Sequence, residues 1–172
     1  VVLGHENTLP VTMEEMIHHA QAVKRGAKYA FLVGDMPFMS YNINKEEAIR
    51  NAGRFIKEAG CDCIKLEGGL EIVDTVKAIV DAGIPVMGHL GLTPQTANKL
   101  SGFKVQGKDA ESAQRIIDSA VALEQAGAFA VLALLAGAAP ASALEPDQAY
   151  AAAQQQIQAV TGGLPSIQAA VQ

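Results

Sequence analysis

The chain has 172 residues, 49% of them apolar, with a formal net charge of -5 and a pI near 5.3. That is the length of one ordinary domain with enough apolar material for a sizeable core, and its acidic balance excludes a basic field for nucleic acid or anionic lipid. No apolar run approaches the roughly 20 residues that span a bilayer, and the first residues do not pair a basic segment with a hydrophobic one, so a cytoplasmic protein with no membrane partner is expected.

In chain order, Val1-Val2-Leu3-Gly4-His5 reads as the end of a strand. Thr12 with Glu15 three residues later makes a capping box for a helix to about residue 25, stopped by Gly26. Met13, Met16, Ile17, Ala20 and Val23 share one face of it, and His18 and His19 are read as surface or packing residues. A strand is expected over residues 29–33, then a loop over 35–43, then a helix capped by Asn44. That helix carries Ala48, Ile49, Ala52, Phe55, Ile56 and Ala59 at helical spacing and stops at Gly60. Further strands are expected over 61–66, 84–87 and 129–134, and further helices over 70–82 and 109–125. Cys61 and Cys63 are expected to stay reduced and structural, since the cysteines and histidines do not make a zinc-ligand spacing.

Ala59-Gly60, Ala82-Gly83 and Ala126-Gly127 each stand immediately before an apolar strand, where glycine supplies the left-handed residue that ends a helix. Strands alternating with helices of this length argue for βαβ units and a parallel sheet. The alternation alone leaves a closed barrel and an open doubly wound sheet both possible. Consecutive strands that each send a polar group to the same end favour the barrel. Residues 1–134 form this unit. Residues 135–172 shift to alanine and glutamine and are expected to be partly helical, over about 146–160.

Four ionisable residues stand at the expected strand ends: Asp35, Lys65, Glu67 and His89. In parallel α/β proteins ligands and chemistry collect at the carboxyl ends of strands. Asp35 and Glu67 on neighbouring strands suit a shared cation, and Mg²⁺ is the natural one because it takes oxygen ligands and commonly only one or two protein carboxylates. Lys65 leaves the same strand face as Glu67 and suits a substrate carboxylate. The plainer alternative is an exposed ion pair of little energetic consequence, with His89 a hydrogen-bonded structural group. Gly88 and Gly91 lack the further glycine and acid of a nucleotide fingerprint.

Five stretches follow one another in an order that resembles the motifs of the ketopantoate hydroxymethyltransferase family. They are Val2-Leu3-Gly4-His5-Glu6-Asn7-Thr8, Gly34-Asp35-Met36-Pro37-Phe38-Met39-Ser40-Tyr41, Lys65-Leu66-Glu67-Gly68-Gly69, Gly88-His89-Leu90-Gly91-Leu92-Thr93-Pro94-Gln95 and Phe103-Lys104-Val105-Gln106-Gly107. The resemblance implies an α/β fold, a parallel (β/α)8 TIM-type barrel, present here in part as four to five βα units. It implies transfer of a hydroxymethyl group from 5,10-methylenetetrahydrofolate to the keto acid 3-methyl-2-oxobutanoate, giving 2-dehydropantoate for pantothenate synthesis. It further implies Mg²⁺ and a cytoplasmic homo-oligomer, often a decamer. Residue by residue, Asp35 resembles an aspartate that binds metal and substrate, Lys65 a lysine on the keto acid, Glu67 a further group of the metal site and His89 a histidine lining it.

Such a reaction needs a Lewis acid for the enolate charge and a positioned base for the proton. The family's aspartate-serine pair precedes the motif that begins at Val2 and is not contained in this sequence, and its glutamate base falls on Leu134. The family's last two βα units give way to the Ala/Gln-rich tail. The expectation is therefore a fragment or altered copy without the base. Its alternatives are a module that at most binds Mg²⁺ and a keto acid, or a different Mg²⁺-dependent lyase or aldolase barrel.

Overall fold

The computed structural model describes residues 2–96, 106–107 and 109–134. The tail over 135–172, its expected helix and most of the loop motif around Phe103 lie outside the described residues. Helix α1 (Met13–Gly26) starts at the expected cap: Thr12 Oγ1 accepts the Glu15 N–H at 3.2 Å, and the Glu15 carboxylate accepts the Thr12 N–H at 2.8 Å. Two amide groups that a helix start leaves open are thereby satisfied. Helix α2 (Lys45–Lys57) begins the same way at Asn44, whose side chain accepts the Glu47 N–H at 2.7 Å. Helix α3 (Val73–Asp81) is entered through a short 3-10 turn, Leu70–Ile72, so the single helix expected over 70–82 is two pieces. Helix α4 (Ala110–Gln125) is capped by Asp109, which accepts the Ser112 N–H at 2.8 Å.

The strands are β1 (Val33–Asp35), β2 (Cys63–Glu67), β3 (Val86–Gly91) and β4 (Ala130–Leu134), all parallel, in the order β1-β2-β3-β4. Three of them begin at least two residues later than expected. At β1 the reason is visible in the backbone: the Leu32 N–H is taken by the Asp62 carboxylate at 2.7 Å, and Leu32 O accepts the Asp62 N–H at 2.8 Å. Regular pairing starts only beyond this clasp, which leaves Tyr29 wholly exposed outside the sheet. Residues 2–10 form turns and bends, not the strand end expected at Val1–His5.

Each strand pairs with the one before it in sequence, so every crossover runs in the same direction and the helices collect on one face. A doubly wound sheet would reverse its order at a switch point. The fold is thus α/β of the (β/α)-barrel type, seen among the described residues as four successive strands. The helix-facing residues Ile64, Leu66, Val86 and Leu90 join Phe55, Val76, Ile79 and Leu123 in the core. Full burial of a side chain such as Phe55 contributes about 1.5–3 kcal/mol. Alternation then places Asp35, Lys65, Glu67 and His89 on the opposite face, the one that lines a barrel interior. At the amino-terminal end of the sheet, the rings of Phe31 and Phe129 meet edge to face at 5.9 Å, joining the approaches to its two outermost strands.

Candidate active site at the carboxyl edge of the sheet

The four candidate residues are brought together. Asp35 closes β1, Glu67 closes β2, and His89 lies inside β3, with Asp35 opposite Lys65 and Glu67 opposite His89 in the ladder. The carboxyl-ward position of β2 and β3 makes Glu67 and His89 part of the sheet, so rigid backbone carries them. Lys65 Nζ lies 2.8 Å from Asp35 Oδ1, 3.7 Å from Glu67 Oε1 and 3.4 Å from His89 Nδ1. His89 Nδ1 is in turn 3.5 Å from Glu67 Oε1.

The lysine ammonium is therefore set between two carboxylates, one buried and one half exposed. Glu67 is 5% exposed, and burial alone pushes its carboxyl pKa up. The hydrogen-bonding contact with His89, the Gln95 N–H on Oε2 at 3.0 Å and the Lys65 charge outweigh that and hold it below the ordinary glutamate value. Two enclosed atoms of the cluster make no hydrogen bond among the described residues: Asp35 Oδ1, whose contact with Lys65 is ionic only, and His89 Nε2. An unpaired polar atom inside a protein is costly, and His89 Nε2, at the carboxyl edge of a parallel sheet, is therefore a candidate to meet a ligand.

Two residues that the chain pattern did not single out complete the site. Tyr41, in the loop after β1, accepts the Glu67 N–H at its hydroxyl at 3.2 Å, and that hydroxyl lies 2.8 Å from Gln95 Oε1. Gln95, in the turn after β3, also donates its Nε2 to Met36 O at 2.8 Å. Both sit inside motifs quoted above, but neither is ionisable near neutral pH, and spacing gives no hint of contacts between residues so far apart. Pro94, next to Gln95, borders a neighbouring cleft of about 420 Å³ that His5 and His19 also line. His18 packs its ring against His19 at 5.6 Å. Cys61 and Cys63 are both buried free thiols, as expected.

Among the described residues no group of three or more His, Cys, Asp or Glu side chains converges as a metal site. A hard cation here would rely on the two carboxylates together with water and substrate, which is magnesium's habit. No helix among the described residues is long and apolar enough to cross a membrane.

A parallel α/β sheet with a lysine and two carboxylates gathered at its carboxyl edge defines a protein of the (β/α)-barrel type with a polar cluster where such folds carry their sites. The family model of ketopantoate hydroxymethyltransferase matches residues 1–145, and the chain belongs to that family. It is 63% identical over 132 residues to the 3-methyl-2-oxobutanoate hydroxymethyltransferase of Syntrophomonas wolfei, a match covering 77% of this chain and 48% of that protein. The proteins of the same name from Heliobacterium modesticaldum and Dehalococcoides mccartyi are 59% and 58% identical over the same share of the chain, of which 48% and 47% of their lengths are covered. The chain thus spans about half the length of the curated relatives it matches.

Proposed function

We propose that this chain carries the keto-acid half-site of a hydroxymethyltransferase, in which 3-methyl-2-oxobutanoate accepts a one-carbon unit from 5,10-methylenetetrahydrofolate to give 2-dehydropantoate. The observation that carries the reading is the Lys65 ammonium held between Asp35 and Glu67 at the sheet's carboxyl edge. An ammonium at this place suits the carboxylate of the keto acid. Glu67 fixes His89 and Lys65 relative to one another, and His89 Nε2 is left to meet the substrate.

The donors present suit Mg²⁺. Asp35, half exposed, would hold the ion, with Glu67 as the second carboxylate. When bound, the ion supplies Lewis acidity to the keto oxygen. Asp35 and Lys65 then share the work of orienting a substrate that carries both a keto oxygen and a carboxylate. Homo-oligomerisation and a cytoplasmic setting belong to the same reading.

A second reading, binding of the keto acid and Mg²⁺ without turnover, is favoured by β4. Alternation puts Ala130, Leu132 and Leu134 on the same side as His89, its register partner Leu132 among them. None of the three can accept a proton, so this strand offers no base for the carbon next to the carbonyl. Calorimetric titration with 3-methyl-2-oxobutanoate, with and without Mg²⁺, tests both readings beside Asp35→Ala and Glu67→Ala variants. Metal-dependent binding lost in the variants is expected, and a folded chain that binds nothing would remove both. Product formed with methylenetetrahydrofolate separates the first reading from the second.

A further inference from the structure

We propose that Tyr41 and Gln95 are positioning residues that aim the Glu67 carboxylate at Lys65 and His89. The inference rests on reading those charged groups as a keto-acid site. Glu67 presents its two oxygens to different partners: Oε1 faces Lys65 and His89, while Oε2 accepts the Gln95 N–H at 3.0 Å. A backbone donor can fix a carboxylate only if its own residue is fixed. Gln95 is held at both ends of its amide, since Nε2 donates to Met36 O and Oε1 accepts from the Tyr41 hydroxyl, each at 2.8 Å.

Tyr41 closes the ring. Its hydroxyl accepts the Glu67 N–H at 3.2 Å, and its single proton goes to the nearer acceptor, Gln95 Oε1, with Glu67 O at 3.1 Å the alternative. Glu67 backbone, Tyr41 hydroxyl, Gln95 amide and Glu67 carboxylate form one circuit that ties the ends of β1, β2 and β3 together. A tyrosine that only filled space would need no hydroxyl, whereas this one is 2% exposed and fully engaged.

The loop that delivers Tyr41 gives independent support. Met39 has φ of 67°, a left-handed conformation that a side-chain-bearing residue keeps only where its surroundings over-determine it. Here they do. The Met39 N–H donates to Asn42 Oδ1 at 2.8 Å, Ser40 Oγ donates to Pro37 O at 2.7 Å, and Asn51 Nδ2 donates to Ser40 O at 2.7 Å. Such strain collects at functional sites, and its result here is Tyr41 turned inward beneath Glu67.

The test compares the parent chain with Tyr41→Phe, using carbon-13-labelled glutamate and NMR of the Glu67 γ-methylene protons. In the parent the two protons should resolve separately, as in a fixed rotamer. In Tyr41→Phe they should merge or broaden, with the amide spectrum away from the loop unchanged and affinity for 3-methyl-2-oxobutanoate with Mg²⁺ lowered about fivefold, the effect of one neutral hydrogen bond. Glu67 γ-protons in the variant that match the parent's would overturn the proposal. Should Tyr41→Phe not fold, Gln95→Met removes both amide bonds while keeping the backbone N–H, and is expected to give the same signature. A parent that binds no keto acid defeats the functional reading alone, because the γ-proton comparison still decides the positioning.

Discussion

Lys65 and Asp35 are register partners on adjacent strands, and their charged ends meet 2.8 Å apart beside a second, buried carboxylate. The two sides of this pair are unequal, because the lysine side chain is 13% exposed and the aspartate side chain 46%. Lys65→Met leaves Glu67 charged in a buried position and should cost about 3 kcal/mol of stability. Asp35→Asn should cost less, about 1 kcal/mol, because its side chain is half exposed and the change leaves Lys65 beside the Glu67 carboxylate, yet abolish Mg²⁺-dependent keto-acid binding. Urea denaturation and calorimetry on the two variants measure both halves of this contrast; equal stability losses would refute it.

Leu134 stands opposite Gly91 in the β3–β4 ladder, 40% exposed. Leu134→Glu introduces a proton acceptor on a strand that otherwise offers none. With Mg²⁺ present, the variant is expected to exchange the C3 proton of 3-methyl-2-oxobutanoate for deuterium at least ~100-fold faster than the parent, the lower end of what a positioned base supplies. Proton NMR in heavy water follows the exchange. Equal rates in the two chains would mean that position 134 does not reach the substrate.

Gly34, between Val33 and Asp35, lets the ring of Phe55 lie directly on β1. A Cβ at position 34 would sit 2.5 Å from Phe55 Cδ1 and 2.8 Å from Cγ, inside a fully packed core. Gly34→Ala should therefore cost about 2 kcal/mol through overpacking. In a Phe55→Leu background the penalty should shrink, because the two positions share one space. Equal penalties in both backgrounds, read from urea midpoints, would place the strain elsewhere.

Burial raises the Cys63 thiol to about 11 from an ordinary value of 9.0, and raises Cys61 as well. A thiol kept neutral by the fold contributes stability that is complete below pH 9, where neither state ionises it, and is lost as the pH rises toward 11, where the unfolded chain releases its proton first. Stability should fall across that window, and Cys63→Ala should flatten the slope. Below pH 9 neither cysteine should react with iodoacetamide in the folded chain.

The helix starts were legible from sequence because a cap is local: Thr12 needs only Glu15, and Asn44 only the amide of Glu47. The four charged residues were legible for a similar reason, each following an apolar run. Strand bounds were not. Where pairing begins depends on a neighbour, and the clasp between Leu32 and Asp62 decides it for β1 from across a helix. Tyr41 and Gln95 were hidden for the same reason, since an uncharged residue acquires its role only when folding brings it to a partner in another unit.

Sheet order that copies chain order has a consequence for synthesis. Each βα unit after the first meets, on leaving the ribosome, an edge already laid down by its predecessor, so the domain can grow by addition. At roughly 5–20 residues per second the next unit follows within seconds, which shortens the life of each bare edge. Among the described residues, the clasp of Phe31 with Phe129 spans the longest wait: it links the approach to the first of these strands with the approach to the last, and so joins the sheet's two ends only after stepwise addition has brought β4.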